Sequence, residues 1–370
     1  MKRKKKVKEN KFLKSGEKAM VSLRSLYKQY GYLPFKMGKF EEYDLYVRNK
    51  EFLVGDSVIT FNDTDGRLLA LKPDVTLSII KNTADEAGCK QKVYYNENVY
   101  RVSEKTHKFK EIMQSGIECI GDTDTLDVYE VIYIAAKSLS LISDDFLLDV
   151  SHLGILSKVL SSASDSELFK SEITRLISEK NKHELKEVCK KFSISETYAE
   201  MIEKLVDIYG NADSVLPRLL PICEAVGAKN AYLELSEICA LLSKSGLGDK
   251  INLDFSVVND MNYYSGIVFK GFLKGIPDGV LSGGEYGTLM NRMGRKSSAV
   301  GFAIYLDLLE ELGGSRAEYD VDVLLLYGEN SDTEEILNLK EKLIADGKSV
   351  SMQKAIPSKL RCKEIIDTRK

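Results

Sequence analysis

The chain is poor in the residues that build metal centres and cross-links. Its 370 residues include six cysteines (Cys89, Cys119, Cys189, Cys223, Cys239, Cys362) and three histidines (His107, His152, His183), scattered and without a Cys-x-x-Cys pair. A zinc site has nothing to build on, and so sparse a cysteine set excludes a disulfide scaffold. No run of 18 apolar residues exists, so no segment is long enough for a transmembrane helix. The start, Lys2-Arg3-Lys4-Lys5-Lys6, lacks the apolar stretch of a signal peptide. These absences predict a reduced, cytoplasmic protein. A phosphate loop is missing too: Gly347-Lys348-Ser349 has Lys342 where such a loop needs its first glycine, which excludes a P-loop nucleotide triphosphatase.

Excess positive charge is also lacking. Lys plus Arg number 53 against 56 Asp plus Glu, a net charge of −3. The first fourteen residues hold eight basic residues and one Glu, or +7, so the remaining 356 sum to −10. A body that acidic does not attract a phosphate backbone over a broad surface, and stable nucleic-acid binding is not expected. Residues 1–14 read as a solvated basic tail. What is present, 44% apolar and 29% charged residues, is the composition of a globular protein with two or three folded units and an ample core.

Periodicity supplies the elements. Met20, Leu23, Leu26, Tyr27 and Tyr30 share one side of a helix over 15–30, closed by Gly31. Residues 57–62 and 68–71, around Asp63-Thr64-Asp65-Gly66, read as a hairpin. Residues 92–102 and 111–120 read as two further strands, and Asp124 caps an apolar-periodic helix through about Leu141. A helical block follows over about 156–246, then strands at 251–258, 264–270 and 279–283 and a last helix at 297–312. Beyond Gly313-Gly314, the segment 321–370 reads as a short β-α-β module. The expected class is α+β, an antiparallel sheet flanked by helices and interrupted by a helical insertion.

Four clusters carry chemistry. In Gln114-Ser115-Gly116-Ile117-Glu118, strand alternation puts Gln114, Gly116 and Glu118 on one face, with Arg101 on the partner strand. Glycine between two polar residues leaves room for a ligand to approach the sheet; an edge strand facing water shows the same alternation. In Lys72-Pro73-Asp74-Val75-Thr76, a carboxylate and a hydroxyl two residues apart suit an ammonium, or equally a helix N-cap. The third cluster is Asn259-Asp260-Met261-Asn262-Tyr263-Tyr264-Ser265-Gly266 and the fourth Ser282-Gly283-Gly284-Glu285-Tyr286-Gly287. Either alone is equally well read as packing tyrosines and turning glycines.

Together and in this order, with Phe61-Asn62-Asp63, Tyr100-Arg101 and Val300-Gly301-Phe302-Ala303-Ile304, these clusters resemble the catalytic core of histidyl-tRNA synthetase, a class II aminoacyl-tRNA synthetase, over most of residues 15–312. The resemblance implies that fold. It assigns Asp74, Thr76 and Gln114 to a histidine α-amino group and Glu118 with Tyr264 to the imidazole, and adds Arg101 and Tyr263 to the ligand set. A neutral imidazole has one donor and one acceptor nitrogen, so a buried carboxylate and a phenol satisfy both. A competitor lacking either nitrogen leaves a buried group unpaired.

The departures bear on function. The family's catalytic arginine falls on Asn259, its ATP-binding arginine on Leu308, its motif-two glutamate near Ser103, and the arginine of its Gly-Gly-Arg-Tyr segment on Glu285. Adenylate formation needs preorganised positive groups around the triphosphate, each worth about 3 kcal/mol, so no useful activation rate is expected. Glu285 also sets a carboxylate where a bound histidine's own would lie. A core that keeps histidine-contacting residues without the ATP chemistry is similar to the regulatory subunits of ATP phosphoribosyltransferase, paralogues of the synthetase. That resemblance implies a non-catalytic chain required by the short catalytic subunit, which condenses ATP with phosphoribosyl pyrophosphate in the first step of histidine biosynthesis. It further implies histidine feedback and self-association as a dimer within a hetero-octamer; no cofactor is expected. The alternatives are a free-standing histidine sensor or tRNA-interacting pseudo-synthetase, which binds without that partner, and an active synthetase, which shows histidine-dependent pyrophosphate exchange.

Overall fold

The computed structural model describes residues 15–50, 58–84, 86, 88–102, 107–258, 263–310 and 319–369. The backbone falls into two compact units, divided between Leu312 and Gly313. In the first, α1 (Ser15–Gln29) buries Leu23 and Tyr27 and ends where Gly31 takes φ +81°, a left-handed turn that glycine adopts without strain. Short pieces follow: β1 (Leu33–Pro34), β2 (Phe40–Glu42), α2 (Tyr43–Arg48), β3 (Thr60–Asn62), β4 (Leu68–Leu71) and α3 (Thr76–Asn82). Strands β2, β4 and β3 pair in that order into a small antiparallel sheet.

Two 13-residue strands, β5 (Lys90–Val102) and β6 (Phe109–Gly121), pair antiparallel as a long hairpin. Next comes α4 (Thr125–Ile142), whose cap is reciprocal: the Asp124 carboxylate accepts from the Leu126 and Asp127 N–H groups, and the Asp127 carboxylate from the Asp124 N–H. Lys90 lies against both carboxylates, 3.1 Å from Asp124. Substituting Asp124→Ala is expected to lower unfolding free energy by about 1 kcal/mol in urea titrations, the usual worth of such a cap.

Strand β7 (Phe146–His152) leads into the helical insertion: α5 (Leu153–Ala163), α6 (Glu167–Ser178), α7 (Lys182–Lys191), α8 (Glu196–Val206), a two-residue β8 (Tyr209–Gly210), α9 (Ala212–Ala225) and α10 (Lys229–Lys244). The chain then returns to the sheet through β9 (Ile251–Asp254), β10 (Ile267–Leu273), β11 (Leu281–Glu285), α11 (Gly287–Arg292) and β12 (Ser298–Tyr305). Among the described residues these strands build one nine-stranded sheet, ordered β1-β5-β6-β12-β11-β10-β7-β9-β8. It is mixed rather than purely antiparallel, because β1 pairs with β5 and β7 with β9 in parallel.

One expected helix is a strand. Ser298–Tyr305 lies between β6 and β11, and only Leu306–Glu310 coils, as a 3-10 turn. An interior strand covered on both faces reads as a continuous apolar run, here Ala299 to Ile304, which periodicity does not separate from a buried helix. Strand β7 escaped the sequence reading because it buries polar residues, Asp149, Ser151 and His152, among its apolar ones, with only Leu147 exposed.

The two faces of the sheet differ. Ile117, Val300, Phe302 and Phe269 pack on one face against α1 and α4 through Leu23, Tyr27, Val131 and Ala135. The other face is covered by a smaller cluster in which Tyr46, Leu77, Ile80, Tyr95, Tyr286 and Leu289 meet. The second unit holds β13 (Val321–Leu326), α12 (Thr333–Ala345), β14 (Val350–Gln353) and β15 (Cys362–Asp367), with both outer strands parallel to β13. The β-α-β reading there lacked β15, a largely exposed strand whose polar residues gave no strand pattern. Among the described residues no helix is long and apolar enough to cross a membrane.

Candidate functional site

Register makes a hollow in the sheet. Glu118 on β6 pairs with Gly301 on β12, which pairs with Gly284 on β11; Gly116 pairs with Ala303, which pairs with Ser282. Paired residues project to the same side, so five small residues on three adjacent strands leave the floor low. The small sheet's loop into α3, the tyrosine segment after residue 262 and the residues before α11 wall it in. A cavity of about 180 Å³ results, lined by all seven residues singled out in the sequence: Asp74, Thr76, Arg101, Gln114, Glu118, Tyr263 and Tyr264.

Glu118 is the most confined of them. It is 2% exposed, and its carboxylate fills the space above Gly301, where an added Cβ would lie 1.7 Å from Oε2. Thr76 donates its hydroxyl to Oε1 at 2.9 Å and Tyr286 to Oε2 at 2.6 Å. Burial pushes the Glu118 carboxyl up to about 8, against the lowering effect of the two hydroxyls and with a small addition from the Asp74 charge.

Asp74 caps a helix turn and reaches the cavity. Its Oδ1 accepts from the Leu77 N–H at 2.9 Å, capping the first turn of α3, while the same side chain lines the cavity. Gln114 is 4% exposed. Strand β6 has β5 and β12 on either side, so the polar alternation is not that of an edge strand. The room beside Gly116 is not open to a ligand, contrary to the sequence reading: the Tyr95 hydroxyl lies 2.5 Å from where a Cβ would be. Arg101 sits opposite Lys110, further along β5, with its Nε donating to the Pro73 carbonyl at 3.0 Å. The rings of Tyr263 and Tyr264 stack 4.6 Å apart, and Tyr264 rests over Gly284. Burial lifts the hydroxyls of Tyr95, Tyr263, Tyr264 and Tyr286 well above their ordinary range, so all four remain neutral donors.

Several wall residues were not foreseen. Tyr286 was legible, because alternation from Ser282 and Gly284 carries it to the cavity side. Tyr95 and Tyr305 were not, since their places depend on register with Gly116 and Gln114. The same alternation turns Glu285 away. Its Oε2 accepts from the Ile267 N–H at 2.7 Å, in the space above Gly266, so it does not meet a ligand in the cavity. The carboxylate expected beside a ligand is thus absent from the cavity lining. Leu308, where the family has an arginine, packs against the main core from the 3-10 turn. Asn259 and Ser103 lie outside the described residues.

Comparison with known proteins agrees with this geometry. A family model described as Histidyl-tRNA synthetase matches residues 10–309. An ATP phosphoribosyltransferase regulatory subunit from Alkaliphilus metalliredigens is 30% identical over 290 residues, 76% of this chain and 72% of that protein. Among solved structures, an ATP phosphoribosyltransferase regulatory subunit/histidyl-tRNA synthetase from Bacillus halodurans superposes with a TM-score of 0.78 at 22% identity, covering 96% of this chain and 94% of the other. A chain of the ATP phosphoribosyl transferase (HisG:HisZ) complex from Thermotoga maritima superposes with a TM-score of 0.61 at 19% identity, covering 78% and 96%. A class II synthetase core matched over most of its length, together with a regulatory-subunit relative at that identity, places the chain: it belongs to the histidyl-tRNA synthetase family, in the branch of the ATP phosphoribosyltransferase regulatory subunits.

Proposed function

We propose that the chain is the non-catalytic regulatory subunit of an ATP phosphoribosyltransferase in the cytoplasm, and that its cavity binds free histidine as the feedback signal. The observation that carries the ligand is the buried Glu118, held by the Thr76 and Tyr286 hydroxyls in a cavity that Asp74 and Gln114 also line. A carboxyl of raised pKa facing Tyr264 is matched to an imidazole, whose two nitrogens need one donor and one acceptor. Thr76 spends its hydroxyl proton on Glu118, which leaves its oxygen lone pairs to accept from an α-ammonium.

The partner is the short catalytic subunit, which condenses ATP with phosphoribosyl pyrophosphate; the relatives' name and the two-component complex among the fold neighbours support this. Self-association of the core as a dimer inside a hetero-octamer belongs to the same reading. Histidine then inhibits by favouring one arrangement of the assembly, with a coupling free energy of about 1–3 kcal/mol. Mixing the purified chain with the short catalytic subunit from the same genome is expected to give a co-purifying complex. Its turnover should exceed that of the catalytic subunit alone and fall on adding histidine. Failure to co-purify after co-expression, with turnover unaffected by this chain, rejects the reading.

A further inference from the structure

A second hollow lies in the helical insertion and shares no residue with the sheet cavity. Along α8, Met201 and Lys204 are three residues apart and so share a side of the helix, with Ile208 following just past its end. Along α9, Arg218, Pro221 and Ile222 share a side by the same spacing. These six residues line a groove of about 420 Å³, against 180 Å³ for the sheet cavity. That volume falls among those of small-molecule sites, about 300–1,000 Å³.

The groove has an apolar floor and a cationic rim. Ile208 is 1% exposed and Ile222 5%, with Met201 half-buried beside them. Pro221 forfeits the helix bond to the Pro217 carbonyl and contributes a rigid ring to the wall. Lys204 and Arg218, both exposed, stand one on each helix. The carboxylates around them are taken by other lysines: Asp207 pairs with Lys182, and Glu203 with Lys186. Lys204 meets Glu200 at 3.4 Å, an exposed pair one helical turn apart and of little worth. Arg218 donates through Nη2 to the Asp207 carbonyl at 3.4 Å and has no carboxylate partner among the described residues. Residues 1–14, at +7, carry the same sign as this rim, so the chain's own basic start is not the occupant.

We propose that this groove is a second ligand site, which binds a small aromatic carboxylate with its ring over Met201, Ile208 and Ile222 and its charge between Lys204 and Arg218. Each part of the ligand answers a part of the groove. A guanidinium without a carboxylate partner offers paired N–H groups that a carboxylate meets with two parallel hydrogen bonds. A thioether beside two buried isoleucines suits an aromatic ring, since sulfur packs favourably against ring edges and faces. The floor thus discriminates against bare anions, and the rim against neutral or cationic rings. The inference is independent of the histidine reading, because the two sites have no residue in common.

The test is methyl NMR on the full chain labelled at its methionine methyl groups, with Met201→Leu identifying the Met201 signal. Indoleacetate, tryptophol and tryptamine carry the same ring with a negative, neutral and positive end, and inorganic phosphate supplies an anion without a ring. Indoleacetate is expected to move the Met201 signal to saturation. Tryptophol should bind at least fivefold more weakly, and tryptamine and phosphate should leave the signal in place. In Arg218→Met, which keeps the apolar stem, indoleacetate should weaken at least fivefold while tryptophol changes less than twofold; Lys204→Met should act in the same direction. Both positions are exposed, so the other methionine signals should stay where they are and show that the fold is intact. A Met201 signal that indoleacetate does not move overturns the site. Equal binding of tryptophol, an equal response to phosphate, or indoleacetate affinity that survives in both variants overturns the ligand class.

Discussion

Glutamine at position 118 is expected to weaken histidine binding at least tenfold and, in the same molecule, to make the ligand-free protein more stable at pH 8 than the unaltered chain. The two effects have one origin. Burial at 2% exposure raises the Glu118 carboxyl from its ordinary 4.5 to about 8, so the folded state resists ionising a group that the unfolded chain ionises freely. A group raised in this way contributes fully below the unfolded value and loses that contribution as pH climbs through the folded one. Stability should therefore fall from about pH 4.5 to about pH 8 and level off above it. Glutamine removes the titration. The stability difference between variant and parent should widen in the variant's favour by a few kcal/mol between pH 5 and pH 8, since one pKa unit corresponds to about 1.4 kcal/mol. Urea titrations at the two pH values measure it, and a difference independent of pH would show that burial places no penalty on this carboxyl. Calorimetry measures the other half; an unchanged dissociation constant removes Glu118 from the ligand's surroundings.

Alanine at Gly301 is expected to produce the other large effect, without altering any group that touches the ligand. Its Cβ would lie 1.7 Å from Glu118 Oε2 and 2.5 Å from the Ile117 carbonyl oxygen on the neighbouring strand. The carboxylate can swing aside; the paired backbone of β6 cannot. Overpacking of this kind costs about 1–3 kcal/mol or more, and displacement of Glu118 from Thr76 and Tyr286 should weaken histidine binding at least tenfold. The steric origin is checked by combining Gly301→Ala with Glu118→Ala: with the carboxylate gone, thermal melts should show part of the lost stability restored. A double variant as unstable as the sum of the single ones would mean that the strand backbone, not the side chain, sets the cost.

Glycines explain much of what could and could not be read in advance. Gly116, Gly284 and Gly301 all mark places where something approaches the sheet closely, as strand glycines do, and all three lie on the cavity face. In each case the approaching group belongs to the chain itself: the Tyr95 hydroxyl, the Tyr264 ring and the Glu118 carboxylate. A glycine in a strand announces a close neighbour but does not name it.

Local rules were enough for what local physics decides. Two-residue alternation put Gln114 and Glu118 on one face, Asp124 announced its helix, and Gly31 its end, because each follows from bonds within a few residues. Long-range pairing decided the rest. It made Ser298–Tyr305 an interior strand, carried Tyr95 and Tyr305 to the cavity wall, and let the Ile267 N–H hold Glu285 away from the cavity. Register is set by pairing between residues distant in the chain, as of Tyr305 with Gln114, and by the burial of both sheet faces, and a strand buried on both sides carries no pattern of its own to reveal it.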